Sequence, residues 1–227
     1  MPHRLIYNRG FTLVELLTTI AIVGVLTAIL LPVIANVKEA AHNTKCASNL
    51  RQIGNASLNY IQENNSALPQ LDYQYINVLF PYIYPEKAED IPKIVGGQPF
   101  PEGLINTVFY CPSMDTTVVN SRSYAINNRI AELDFIETSN GETEANKWNL
   151  PVTLIEDPSK TAFFSDTYTT SNMSQTMWSS QAKALDRHGH LNVVFLDGHV
   201  EAVQPDEPRV QDKDSEFWIG KRKQHTN

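Results

Sequence analysis

Between Leu16 and Val37 the sequence carries no charged residue, and in all of its 227 residues it carries only two cysteines. Two cysteines are too few for a disulfide scaffold, and Cys46 and Cys111 show no CxxC spacing of a metal or redox motif. Positive charge is also short: 18 Lys and Arg stand against 25 Asp and Glu, a formal net charge of −7. A phosphate-backbone binder needs a basic surface, so no nucleic-acid partner is expected. The Lys/Arg of the closing "GKRKQHTN" read as a solvated tail. No Gly-x-Ser-x-Gly elbow, activated cysteine setting, EF-hand-like run of oxygen ligands, internal repeat or low-complexity segment is present. The chain is therefore not read as an enzyme. With 42% hydrophobic and 19% charged residues it is neither disordered by composition nor a multi-span membrane protein.

What is there begins with the uncharged run itself, "LLTTIAIVGVLTAILLPVIANV". About 20 apolar residues span a hydrocarbon core, so this run is long enough to cross. Arg4 and Arg9 stand ahead of it and favour a cytoplasmic N-terminal end. A secretory signal would have an apolar core of about 7–15 residues and a small-residue exit, and neither fits. One acid, Glu15, sits at the edge of the run. A charge at membrane depth costs several kcal/mol unless it is paired, so such a residue marks function by default. The bland alternative places Glu15 near the headgroups beside Arg9.

The stretch Gly10-Phe11-Thr12-Leu13-Val14-Glu15, followed by an apolar helix, resembles the prepilin motif of type IV pilins and type II secretion pseudopilins. The resemblance implies cleavage by prepilin peptidase between Gly10 and Phe11 and methylation of the new Phe11 amine. It implies that Glu15, fifth after the cut, steers docking into a homo- or hetero-oligomeric filament; the new amine, one helical turn away, could pair with Glu15 of the same chain or of a neighbour. Gly24 and Pro32 fall where pilin helices commonly carry a glycine and a proline. Pro32 removes one helical hydrogen bond and is expected to kink the helix or let it melt locally.

Helical periodicity continues past the apolar run. Cys46, Leu50, Ile53, Ser57 and Ile61 share one face, leaving Lys45, Arg51, Gln52 and Glu63 outside. The expected organisation is a leader at 1–10, a long helix at 11–64 whose half at about 11–37 is transmembrane, and a head at 65–227. At 1.5 Å per residue that helix measures about 80 Å. The fold class is α+β and type IV pilin-like, with the helix packed on an antiparallel β-sheet head. The expected location is a single-pass inner-membrane precursor with a cytoplasmic leader and a periplasmic or cell-surface head.

Within the head, residues 67–104 read as an ordered, loop-rich stretch. The runs "LINTVFYC", "RSYAINNRI", "PVTLIED" and "KTAFFSD" read as strands, and residues 167–187 as a surface loop. In "LNVVFLDGHVEAV", Asp197-Gly198 predicts a two-residue type I′ hairpin. That register pairs Phe195 with Val200 and Val193 with Ala202, and turns these four residues onto the long helix.

The head carries a second resemblance. "C..NLRQIG" from Cys46 to Gly54, Cys111-Pro112-Ser113, and His188 followed by Asp197-Gly198 recur together in a large bacterial family of pilin-like proteins. The family spacer between His and Asp-Gly is nine residues, and here it is eight. A metal reading draws on His188, His190, Asp197 and His199, with Asp166 a further candidate ligand. An extended strand puts His188 roughly 30 Å from Asp197, whereas zinc needs its ligands about 2.0–2.2 Å from one ion. The competing reading is turn chemistry at Asp197-Gly198 and loop polarity at His188 and His190. Calcium enters only by the pilin resemblance, since some pseudopilin heads bind it near their C-termini. A Cys46–Cys111 bridge is chemically allowed outside the cytoplasm, and two buried small apolar residues are its equal rival. Two other readings remain: an enzymatic or metal-binding head on a borrowed anchor, and an adhesin head with an aromatic groove at Tyr73, Tyr75, Tyr82 and Tyr84.

Overall fold

A computed structural model describes residues 11–71, 74–92, 100–114, 116, 122–133, 135–137, 143–145, 150–167, 172–173, 189–212 and 214–223. The chain divides into two compact units, residues 1–40 and 41–227, and helix α1 (Leu13–Glu63) contributes to both.

In the first unit every described residue is exposed. Its helix is long and apolar enough to cross a membrane. The hydroxyls that interrupt the apolar surface are satisfied locally. Thr18 and Thr19 donate to the carbonyls of Glu15 and Leu16, and Thr27 donates to that of Val23. Such bonds remove the cost of bare hydroxyls in a medium without water. The helix runs through Pro32 without a break, so the lone chain shows no melting there.

The second unit is built on a five-stranded sheet, with two short flanking strands. In chain order the strands are β1 (Tyr124–Asn127), β2 (Phe135–Glu137), β3 (Thr143–Ala145), β4 (Ala162–Asp166), β5 (Asn172–Met173), β6 (Leu191–Phe195) and β7 (Val200–Val203). The sheet order is β5-β1-β4-β6-β7, and β2 pairs with β3 in a separate two-stranded sheet. Four strands are antiparallel, as expected, while β5 lies parallel to β1. Because β5 reverses direction after β4, it runs with β1 when it joins the far edge.

Helix α1 meets this sheet along the expected stripe: Cys46, Leu50, Ile53, Ser57 and Ile61 are buried, and Asn49, Gly54 and Ala56 join them. Lys45, Arg51, Gln52 and Glu63 stay exposed. The stripe packs with Tyr124, Ile126, Phe164, Val194 and Leu196. The opposite sheet face carries Ala125, Ala162, Leu191, Val193 and Phe195, covered by Val210, Phe217 and Trp218. The central strands are thus buried on both faces, which explains their unbroken apolar runs.

Several expectations fail for identifiable reasons. The β6–β7 register is one residue away from the predicted one: Val194 pairs with Val200, and Val193 with Glu201. The loop has three residues instead of two. Gly198 N–H donates to the Phe195 carbonyl, Phe195 N–H donates to the His199 carbonyl, and Gly198 takes φ +90°. This is the alternative hairpin in which a turn is followed by a left-handed glycine bulge. A one-residue slip exchanges the two faces. Val193 and Phe195 therefore turn to the C-terminal segment, and Val194 and Leu196 turn to α1.

"LINTVFYC" is a chain of tight turns, with Thr107 N–H on Leu104 O, Tyr110 N–H on Thr107 O, and Asn106 at φ +69°. "PVTLIED" holds a 3₁₀ turn at Val152–Leu154 between two isolated bridges. Both runs are apolar because they cover the core, without a ladder. The proline-rich stretch contains a helix, α2 (Tyr75–Ile83), that buries Tyr75, Ile76, Leu79 and Phe80. The basic tail is tied down as far as residue 223: Lys221 Nζ lies 3.0 Å from Glu156, and Lys223 N–H donates to Leu154 O.

Cys46 and Cys111 are bonded, with a Cα–Cα distance of 5.3 Å, across 65 residues of sequence. Closing a loop of that length stabilises the folded chain by about 4 kcal/mol in the chain-entropy model. Replacing both cysteines by alanine is expected to lower unfolding stability by about that amount in chemical denaturation. An unchanged midpoint would show that the bridge contributes nothing.

Candidate functional site

At the start of α1 the peptide geometry accounts for Glu15 directly. Thr12 occupies the N-cap position, its carbonyl taking the first helical bond from Leu16 N–H at 3.2 Å. Glu15 N–H donates to Thr12 Oγ1 at 3.3 Å. In return Glu15 Oε2 accepts Thr12 N–H at 2.9 Å and Thr12 Oγ1–H at 2.8 Å. This is a capping box, which satisfies backbone donors that a helix start leaves orphaned. The Thr-x-x-Glu spacing of Thr12 to Glu15 is the sequence signature of such a box. Phe11, one residue before the cap, is 81% exposed. Gly10 lies outside the described residues.

The head motifs converge on one seam along α1. Asn49 Nδ2 donates to Tyr110 O at 2.8 Å and to Tyr124 Oη at 3.2 Å, beside the Cys46–Cys111 bridge. His42 Nδ1 and Ser113 Oγ lie 3.3 Å apart. One helical turn past Leu50, Gly54 faces the hairpin. A Cβ built on it would lie 2.8 Å from Val194 Cγ2 and 3.8 Å from Gly198 Cα. A Cβ on Gly198 would in turn meet Leu58 Cδ1 at 2.9 Å. The glycines of "NLRQIG" and "Asp-Gly" are thus mutual conditions for close helix–hairpin approach.

The described residues of the metal reading, His190, Asp197 and His199, are not brought together as one site. Asp197 Oδ1 accepts the His199 backbone N–H at 3.1 Å and lies 2.6 Å from His199 Nδ1, at the exposed hairpin tip. The His199 ring stacks on Phe195 with centroids 4.3 Å apart. His190 sits at the other end of β6, where its Nε2 meets Asn43 Nδ2 at 3.3 Å. The strand between them is extended, so the two ends lie roughly 20 Å apart. His188 lies outside the described residues. Among the described residues no three His, Cys, Asp or Glu side chains converge as a metal centre.

Asp166 lies near the His190 end. It is fully buried, and its Oδ2 accepts both the backbone N–H and Nδ2 of Asn192. Nor do the tyrosines of the aromatic-groove reading line one groove. Tyr75 is buried with its hydroxyl donating to Tyr124 O, and burial pushes that hydroxyl's pKa up. Tyr84 Oη accepts Val108 N–H, Tyr82 donates to Glu63, and Tyr73 lies outside the described residues.

Gly54→Ala is expected to cost about 1–3 kcal/mol, because the added methyl must displace Val194. In a double-mutant cycle by denaturant unfolding, adding Val194→Ala should recover part of that loss. Simple additivity would show that the two residues do not press on each other.

No curated protein and no solved structure matches the chain. Residues 6–31 match the family model described as the prokaryotic N-terminal methylation motif. That motif opens a long apolar helix carried by an α+β head, an architecture consistent with a type IV pilin-like protein.

Proposed function

We propose that this chain is a precursor subunit of a type IV pilus-like or type II secretion pseudopilus filament. In this reading prepilin peptidase cuts after Gly10, the Phe11 amine is methylated, and the subunit leaves the inner membrane for a helical filament. The head then faces the periplasm or the cell surface, and its role is structural rather than catalytic. The observation that carries the reading is the methylation motif at residues 6–31, leading into an apolar helix with no buried side chain up to residue 41.

The chemistry of that start supports the reading. Among the described residues, those from 13 to 40 of the helix bury no side chain, and lipid or other copies of the same helix can cover them. Repeated head-to-tail contacts that do not close produce an open helical assembly. After the cut, the Phe11 amine stands one residue before the cap. In a low-dielectric helix bundle an amine or a carboxylate left unpaired costs several kcal/mol. A neighbour's Glu15 offers the matching charge, with Oε2 held in place by Thr12.

Intact mass and N-terminal sequencing of the chain expressed with a prepilin peptidase test the processing step. The expected product starts at methylated Phe11 and is absent for Gly10→Val. Glu15→Gln should be cut normally yet fall at least about tenfold in the sheared filament fraction, matching the loss of a charge pair worth over 1.4 kcal/mol. A wild-type chain that still starts at Met1 would remove the filament reading.

A further inference from the structure

Thr12 is the last residue before α1 (Leu13–Glu63), and its carbonyl is the first to accept a helical bond, from Leu16 N–H at 3.2 Å. Nothing in the covalent structure requires the helix to begin there. Between Pro2 and Pro32 the sequence has no proline, and Gly10 weakens a helix without stopping it. Backbone groups kept from water are driven into helical bonds, so an apolar helix continues until its leading N–H groups find other acceptors.

Thr12 and Glu15 supply those acceptors. Thr12 Oγ1 takes Glu15 N–H at 3.3 Å, and Glu15 Oε2 takes Thr12 N–H at 2.9 Å. In a helix continued toward the N-terminus, these two N–H groups would go to the carbonyls of Phe11 and Asn8. Val14 N–H would go to the carbonyl of Gly10. That last carbonyl belongs to the bond broken by a cut after Gly10. Hydrolysis adds the oxygen of water to the Gly10 carbonyl carbon and breaks its C–N bond to Phe11. A carboxylate is left on Gly10 and an amine on Phe11. A carbonyl held in a helical bond is screened from that attack. Peptides gripped through their main chain are taken extended, and cleavage within a helix must wait for local opening.

We propose that Thr12 is a positioning residue for the cut: with Glu15 it holds the start of α1 at Leu13 and so keeps the Gly10–Phe11 bond out of the helix for the peptidase. The proposal rests on the reading that the chain is cut after Gly10. Phe11 fits it, since it precedes the cap and is 81% exposed. The capping box then serves the precursor, before any neighbouring subunit is present.

The test compares kcat/KM for cleavage of the full chain in detergent by a prepilin peptidase, followed by intact mass over time. Thr12→Val keeps the side-chain shape without the hydroxyl and should be cut about fivefold more slowly, equivalent to losing about 1 kcal/mol of N-cap. Glu15→Leu, which removes the other half of the box, should be slowed to a similar degree. Thr12→Ser keeps the hydroxyl and should be cut at the wild-type rate. Adding Leu13→Pro to Thr12→Val should recover most of the rate, because proline at the first helical position bars the helix from running back. A peptidase that recognised the Thr12 side chain directly would slow Thr12→Val and leave Glu15→Leu at the wild-type rate. That outcome overturns the proposal, as does a wild-type rate for Thr12→Val, or Thr12→Ser as slow as Thr12→Val. In each of these the wild type is still cut, so the filament reading stands. A wild-type chain left uncut removes both.

Discussion

The head depends on how closely α1 can approach the sheet, and that approach is set at Gly54. Without a side chain there, the helix backbone comes down onto Val194 and onto the hairpin turn at Gly198. The contact brings Leu50 and Ile53 within reach of Phe164 and Ile126, and it places Asn49 against Tyr110 and Tyr124. The Cys46–Cys111 bridge fixes the same seam about two turns before Gly54 in the helix. A Cβ at Gly54 would lift the helix from the middle of this line. Its cost would spread over contacts that do not touch residue 54, because packed interiors give little room for independent adjustment.

Much of this seam is legible in the sequence, since a 3.6-residue period is a strong signal over a long helix. The stripe from Cys46 to Ile61 and the exposed Lys45, Arg51, Gln52 and Glu63 follow from it. The strands at Tyr124–Asn127 and Ala162–Asp166 are also legible as apolar runs. The hairpin register is not. Asp-Gly fits either a two-residue turn or a three-residue loop with glycine in the left-handed position, and the two differ by one residue. Alternation would normally decide between them, but β6 is buried on both faces, so Val193 and Val194 look alike in the sequence. The chain's apolar loops mislead for a related reason. Leu104 and Phe109 cover the core from turns, and a window of hydrophobicity does not separate a cover from a strand.

At the N-terminal end Glu15 has a local role, to which the filament reading would add a second. Glu15 closes the first turn of its own helix through Thr12, a local matter of orphaned N–H groups. A carboxylate has more acceptor capacity than the cap consumes, since Oε1 takes no part in it. In the filament reading that remaining capacity meets an amine from another subunit. The two uses reinforce each other. Capping holds the side chain in one rotamer, and a charge already held in place loses less entropy when its partner arrives. An aspartate would be one methylene shorter and a glutamine would lack the charge, so in the filament reading the cap and the pairing together would select glutamate.

The C-terminal segment explains why the sheet tolerates apolar residues on its second face. Trp218 and Phe217 lie over Phe195 and Ala162, and Trp218 Nε1–H is satisfied by Val210 O. Asn127 carries the decisive polar link. Its Nδ2 donates to Ala162 O at 2.8 Å, joining β1 to β4, and to Trp218 O at 2.7 Å, joining both strands to the covering segment. Arg209 adds an outer clamp, paired with Glu201 and Glu207 and lying 5.9 Å and 5.7 Å from the centroids of Phe195 and Phe217. The exposed pairs contribute little on their own. Their effect is to orient a side chain that shields an apolar edge, so the covering segment is positioned by hydrogen bonds and stabilised by burial. The basic run that follows lies down for the same reason. Once Trp218 is seated, Lys221 to Lys223 are already beside Glu156 and Leu154, and pairing there requires little further ordering of the chain.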